Sequence, residues 1–468
     1  MKRLLILTIL LMSTIWSAHA GTRYSPTANR SDSCMTASGE RGAGFARNNS
    51  KMVMYSNGNL GVSYGHQNAS GSRIRMFYTN NWGTDWSVSD STTVGVLARA
   101  EAANAIGSWY SGFHAFGDSS FLWNGGDSVG GTAQDYSLLV RAFNSTFVRG
   151  ALDTVDGRAG SSSGKADGLT VVNGDLLVMH NKESGSNDSI YAWLTQGAFS
   201  SASTWTKVDS VVRAATPVWA AGQRVPFTWT GDVGGGILCW APTADDVYWI
   251  DTAGGFDTLS SAFLGAASTI YASWIIQTSG KSGIVVWEST NGGPTAVLYA
   301  RPFTIASADW STTPNRTIGF DAAATTLATG LTLRNLTYAY PVASMLKGSG
   351  ADDSVFAIWK DEPDTSGTNW LNRRFSYSIS GDLGATWGSR QTLYTFPATD
   401  TVVQLQAPYN IYRSGNDIRL AVGWCDSVST ASAEGVNVYL EAITTTPPAT
   451  ASSNVVVRGS EIRGTVIR

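Results

Sequence analysis

Gly283-Ile284-Val285-Val286-Trp287 is a turn residue followed by an apolar run that closes on a large aromatic residue. The run is too short for a buried helix, and its β-branched residues suit a pleated, half-buried surface. The same shape recurs at 58–64, 120–123, 175–180, 236–240, 354–359 and 418–424. The closing positions are 64, 123, 180, 240, 287, 359 and 424, spaced by 59, 57, 60, 47, 72 and 65. Five of the seven closing residues are Trp, one is Tyr and one is His.

Each closing residue is followed by a loop and a second strand-like run, at 73–78, 136–143, 189–194, 246–250, 296–300, 375–380 and 436–442. Most copies are preceded by an apolar run as well, as at 52–55, 225–229 and 270–276. Four short strands in each unit, repeated radially, describe an all-β protein of the β-propeller class. Radial repetition leaves only short sheet edges exposed. The repeat predicts seven four-stranded blades, with six as the alternative because the second unit has a weak strand pattern. The seventh unit ends after three strands, near Ile443, so the segment 21–45 is expected to supply its outer strand and close the ring. That placement brings Cys34 near Cys425 and suggests a Cys34–Cys425 bridge, the alternative being three small buried thiols.

The bulk numbers agree with this class. The chain has 468 residues, 50 of them Gly and 18 Trp, with 11 % aromatic and 14 % charged residues. A formal net charge of −3 gives no basic excess for phosphate capture, so nucleic acid is not an expected partner. Lys2 and Arg3 precede an apolar run to Leu11, and Ser17-Ala18-His19-Ala20 follows with an Ala-x-Ala cleavage pattern. Residues 1–20 therefore read as a secretory signal peptide cleaved after Ala20, and the mature chain as secreted or periplasmic. No segment has the apolar length of a membrane span. The propeller is expected over 21–443. Residues 444–468 read as a Pro-Ala-Ser linker and a short tail with apolar-Arg pairs at 457, 462 and 467, a period of five. That tail suggests an oligomerising or attachment strand, or a frayed end. The cysteine spacings fit no metal site, and no phosphate loop, zinc-binding His-Glu-x-x-His or Gly-x-Ser-x-Gly element is present, so no metal or cofactor is expected.

One further stretch carries a resemblance. Ser380-x-Asp382-x-Gly384-x-Thr386-Trp387 resembles the Asp-box, the bacterial neuraminidase repeat of sialidase-like propellers. Residues 79–86 keep its Gly83 and Trp86 with Asn81 in the Asp place, and Asp309-Trp310 and Thr204-Trp205 keep only its end. The chemistry of the motif is that of a fastener. A carboxylate accepts backbone N–H groups across a tight turn, Gly tolerates positive φ, and Trp folds back onto the blade.

The resemblance implies a ligand site at the opposite mouth of the ring, where residues just past the repeated aromatics converge: His66, Asn124, Glu183, Glu288, Asp361, Glu362 and Asp426. It also implies an arginine cluster for a carboxylated sugar, for which Arg47, Arg224 and Arg334 precede innermost strands. Glu288 is the candidate for activating a nucleophilic Tyr338 or Tyr340. The family's Arg-Ile-Pro signature is absent at Arg47, and Arg224-Val225-Pro226 resembles it in a different blade. The first-blade loop 65–72 offers His66 but no carboxylate where the family has its acid/base Asp. The expected function is glycan binding or exo-sialidase-like hydrolysis at the mouth. The alternative is a non-enzymatic surface or virion interaction scaffold, which the fold alone does not exclude.

Overall fold

A computed structural model describes residues 17–18, 21–24, 33–34, 50–68, 71–89, 111–125, 137–157, 164–172, 174–184, 187–214, 225–229, 236–241, 246–251, 256–260, 270–278, 281–289, 295–307, 309, 316–320, 323–332, 341–347, 354–361, 374–395, 402–426 and 435–444. Among these residues every regular element is a β-strand, and no helix is long and apolar enough to cross a membrane.

The strands follow the repeat. Met52–Met54, Leu60–Asn68, Gly71–Thr79 and Ser87–Ser89 form the first sheet, to which Ser33–Cys34 is added. Ser111–Phe116, Ser119–Gly125, Ser137–Asn144 and Arg149–Gly157 form the second. Gly164–Val172, Asp175–Ser184, Asn187–Thr195 and Trp205–Ala214 form the third. Val225–Trp229, Gly236–Ala241, Asp246–Asp251 and Phe256–Ser260 form the fourth. In the fifth, Ile270–Gln277, Ser282–Ser289 and Thr295–Ser307 lie side by side, and the long third strand pairs with both Arg316–Gly319 and Thr325–Thr332.

The sixth sheet is different. Val342–Lys347, Val355–Asp361, Arg374–Ser380 and Gln391–Thr395 continue into Asn410–Ser414, Asp417–Asp426 and Gly435–Thr444 as part of one ten-stranded sheet. The join is a parallel pairing of innermost strands, with Met345 opposite Asn410 and Lys347 opposite Tyr412. The innermost strands pack in chain order from Met52–Met54 round to Asn410–Ser414, which returns to Met52–Met54. The molecule is an all-β propeller. Five blades are self-contained sheets, and the last two repeat units run together. This corrects the expectation of seven separate blades: backbone groups of 345–347 find partners in the next unit rather than ending at a blade edge.

Ring closure uses the N-terminal segment in two places. Thr22–Tyr24 pairs antiparallel with Gly435–Thr444, Thr22 facing Leu440, and gives that strand an outer neighbour. Ser33–Cys34 instead joins the first sheet, where Cys34 faces His66. The side chains of Cys34 and Cys425 lie outside the described residues, as do all atoms of the tail beyond Thr444. At the opposite end Arg419 reaches from the last unit to the first, donating to the Asn57 carbonyl at 3.3 Å and lying over the Trp82 ring at 5.2 Å.

The core explains why the repeat ends on aromatics. Trp359, Trp424 and Trp287 are buried within one apolar cluster that also includes Trp249 and Trp274. Withdrawing such a ring from water stabilises the packing of neighbouring sheets by about 2–3 kcal/mol.

Candidate functional site

Antiparallel order gives every unit two distinct ends. The second strand runs toward one end, and the third strand returns and turns into the fourth at the other. Residues closing the second strands therefore gather at the mouth end, while the turn 380–387 lies at the fastener end. The backbone register puts His66 opposite Arg73, Glu183 opposite Asp188, Glu288 opposite Leu298, Asp361 opposite Arg374 and Asp426 opposite Gly435, all at the mouth end. The side chains of His66, Asn124, Glu183 and Asp426 lie outside the described residues, and so do Arg47, Arg224, Arg334, Tyr338, Tyr340 and Glu362 altogether.

Glu288 and Asp361 are both buried near the mouth ends of their second strands. Glu288 is fully buried near the end of Ser282–Ser289, between Trp287 and the buried Ser289, after the buried apolar run Ile284 to Trp287. Asp361 is buried too, but its Oδ2 accepts the Ser376 hydroxyl at 2.9 Å and the Arg374 Nε at 3.1 Å, with Arg390 Nη1 at 3.3 Å. These partners come from the third strand and the approach to the fourth strand of the same unit. Asp361 therefore braces its own sheet.

The segment before Asn410–Ser414 ties several units together. The Tyr409 hydroxyl accepts the Ser50 N–H at 3.2 Å, and the Tyr409 ring lies 4.9 Å from His114 and 5.3 Å from Trp274. One side chain thus touches the first, second and fifth units. The Tyr409 carbonyl accepts Met345 N at 2.7 Å, the Pro408 carbonyl accepts the Ser344 hydroxyl at 2.7 Å, and the Ala407 carbonyl accepts the Ser50 hydroxyl at 2.7 Å. Gln406 Oε1 accepts Lys51 N at 3.2 Å. Burial pushes the Tyr409 phenol up, the Lys51 amine down to about 7 and the His114 imidazole down to about 3. His114 is therefore neutral, and among the described residues its Nδ1 finds no hydrogen-bond partner, nor does Gln406 Nε2.

Sequence reasoning missed Lys51, His114, Gln406 and Tyr409. Lys51 had a legible signal, because it stands immediately before the innermost strand of the first unit, where a cation was sought at Arg47. Tyr409 had none, because three separate units meet on its ring.

At the fastener end, Ser380 Oγ donates to Asp382 Oδ1 at 2.8 Å and accepts Gly384 N at 2.7 Å. Asp382 Oδ1 also accepts Thr386 N at 2.8 Å, and Oδ2 accepts the Thr386 hydroxyl at 2.5 Å. Trp387 Nε1 donates to the Gly384 carbonyl at 3.2 Å. Leu383 and Gly384 take positive φ, 56° and 92°. The turn 79–86 repeats this scheme with Thr79, Asn81 and Gly83: Thr79 Oγ1 accepts Gly83 N at 2.9 Å and Asn81 Oδ1 accepts Asp85 N at 2.9 Å. A third copy, invisible in the sequence, occurs at 144–148, where Asn144 Oδ1 accepts Val148 N at 2.9 Å and Thr146 N at 3.0 Å, with Phe147 at φ 61°. In these turns the carboxylate or amide is occupied by its own loop.

No protein-family profile and no curated protein matches the chain. Among solved structures, an α-L-arabinanase from Penicillium chrysogenum, complexed with arabinobiose, is 12 % identical, with 91 % of this chain and 98 % of that one covered at a TM-score of 0.41. An α-L-arabinofuranosidase from Fusarium graminearum is 12 % identical over 90 % and 97 % of the two chains, with a TM-score of 0.42. A polysaccharide lyase, an ulvan lyase, is 10 % identical over 86 % and 94 %, with a TM-score of 0.43. These neighbours are carbohydrate-active enzymes, and none of the three is a sialidase.

Proposed function

We propose that this is an exported propeller that binds or hydrolyses glycans at its mouth end. The observation that carries the reading is Glu288, a carboxylate with 0 % exposure at the mouth end of an apolar strand. Withdrawing a carboxylate from water is costly unless its surroundings compensate, and such groups concentrate at functional sites. Lys51, whose amine burial tunes toward neutrality, and the neutral His114 are buried beside the segment 406–409. A formal net charge of only −3 over the 468 residues suits uncharged, hydroxyl-rich ligands better than strongly charged ones.

In the finer form of the proposal, Glu288 activates Tyr340 as nucleophile, and Arg47, Arg224 and Arg334 hold a carboxylated sugar. His66, Glu183, Glu362 and Asp426 line the rim. Asp361, bound to Arg374 and Arg390, is left out of the chemistry.

The test is turnover of a panel of fluorogenic glycosides, a sialoside among them, beside binding to a glycan array. For hydrolysis, Glu288→Gln lowers kcat by about 100-fold or more with the fold intact. Array binding that Glu288→Gln weakens, without turnover, keeps the recognition reading and discards the hydrolase. Silence in both assays discards the glycan reading and leaves an interaction scaffold.

A further inference from the structure

The edge that closes the ring contains a carboxylate that the glycan reading does not use. Glu441 lies in Gly435–Thr444, is 3 % exposed, and its Oε2 has no hydrogen-bond partner among the described residues. The titratable groups facing it are Tyr439 on its own strand and Tyr377 from the preceding unit, with the Tyr394 ring tilted against Tyr439 at 4.7 Å. Arg23, on the paired strand, lies over the Trp424 ring at 5.4 Å.

Two pieces of the N-terminal segment dock on this edge: Ser17–Ala18, opposite Thr444 and Ile443, and the segment that begins at Gly21. Thr22 faces Leu440 and Arg23 faces Tyr439, so the ladder brings Gly21 beside Glu441. Gly21 N donates to the Tyr439 hydroxyl at 3.1 Å, and that hydroxyl donates in turn to the Leu393 carbonyl at 3.2 Å. The fit at residue 21 excludes a side chain. A Cβ there would come 2.4 Å from Tyr439 Cζ and Oη and 2.7 Å from the Leu440 carbonyl oxygen.

Gly21 is also the residue that follows the Ala-x-Ala pattern ending at Ala20. We propose that cleavage after Ala20 creates the group this edge is built to receive: the α-ammonium of Gly21, held by the Tyr439 hydroxyl and the Glu441 carboxylate, locks the N-terminal strand onto the last sheet. Hydrolysis of the Ala20–Gly21 bond consumes one water, releases the leader with a carboxylate on Ala20, and leaves an amine on Gly21 that takes up a proton. The uncut chain offers Glu441 one neutral N–H nearby, whereas the cut chain offers a cation with three donors. In the uncut chain burial holds the Glu441 carboxyl up to about 7, and a docked ammonium pulls it down into its ionised form. The inference rests on processing after Ala20 and is independent of any glycan activity.

The test compares chains that begin at Gly21 with chains that carry one extra residue, Ala20, each with Glu441 or with Glu441→Gln, by melting temperature at neutral pH. The expected result is that the Gly21 chain melts a few degrees higher than the extended chain, and that Glu441→Gln abolishes the difference. Gly21→Ala, which keeps the ammonium but adds the Cβ, loses the same advantage. N-terminal mass analysis of the exported protein finds Gly21 first. Equal melting of the two chains, an advantage that survives Glu441→Gln, or an exported chain beginning elsewhere each overturns the proposal.

Discussion

Asp382 and Glu441 are carboxylates at two ends of the same fused sheet, and their surroundings are opposite. Asp382 is exposed and crowded with donors. Desolvation, the largest single influence, pushes its carboxyl up, but hydrogen bonds from Thr386, Ser380 and its own backbone together outweigh it and hold the group below its ordinary value. Glu441 is buried and short of donors, and desolvation pushes it from 4.5 to about 7, with the nearby Tyr439 hydroxyl pulling more weakly the other way. A carboxylate supplied by its own loop needs nothing from the rest of the molecule. One buried on a sheet edge depends on whatever segment arrives there.

The largest expected effect tests how rigid the self-contained turn is. Gly384 has φ 92°, and a Cβ there would lie 2.5 Å from Ile284 Cδ1 in the neighbouring unit. Gly384→Ala should lower stability by about 2–4 kcal/mol in chemical denaturation, combining left-handed strain with overpacking. Gly381→Ala, where nothing lies within 4 Å of the added atom, is the control and should change little. Equal losses in the two variants would mean that the turn is not anchored to its neighbour.

The second effect belongs to the buried edge. In a chain whose Gly21 nitrogen is a peptide or is acetylated, Glu441 binds its proton more tightly folded than unfolded. Its contribution is therefore fully present below about 4.5 and is lost as pH rises through about 7. The loss is of order 3 kcal/mol, and Glu441→Gln should flatten that part of the stability profile. The facing phenols of Tyr377 and Tyr439, both pushed up, stay neutral throughout this window. A profile that Glu441→Gln leaves unchanged would remove the contrast with Asp382.

The smallest effect separates charge from geometry in the turn. Asp382→Ala removes the acceptor for Thr386 and Ser380 and should cost about 1–2 kcal/mol. Asp382→Asn should cost less than about 1 kcal/mol, because Asn81 fills the corresponding place in the first unit. Thermal melts of the two variants side by side would show it, and equal losses would assign the turn's stability to charge.

Much of this was legible along the chain. The strand-aromatic repeat predicted the second and third strands within a few residues, as at Asp246–Asp251 and Arg374–Ser380, because strand periodicity is a local property. The outer strand lent by the N-terminal segment was legible too, since a unit that stops after three strands leaves an edge to cover. The turn at 144–148 was not. Asn144 accepts the same backbone groups as Ser380 and Thr79 do, yet shares no letter with either motif. The fusion of the last two units was equally hidden, because a parallel pairing of 345–347 with 410–412 depends on how two distant strands meet at the axis.

By itself the sequence determined the class of the molecule, the rhythm of its strands and the residues that fasten one of its turns. These follow from side-chain alternation, turn chemistry and spacing, which act over a few residues. Only the tertiary structure decided that Asp361 is a brace, that Tyr409 touches three units, and that Glu441 waits beside Gly21. Each of those roles depends on groups brought together from remote parts of the chain, and on the water their meeting excludes.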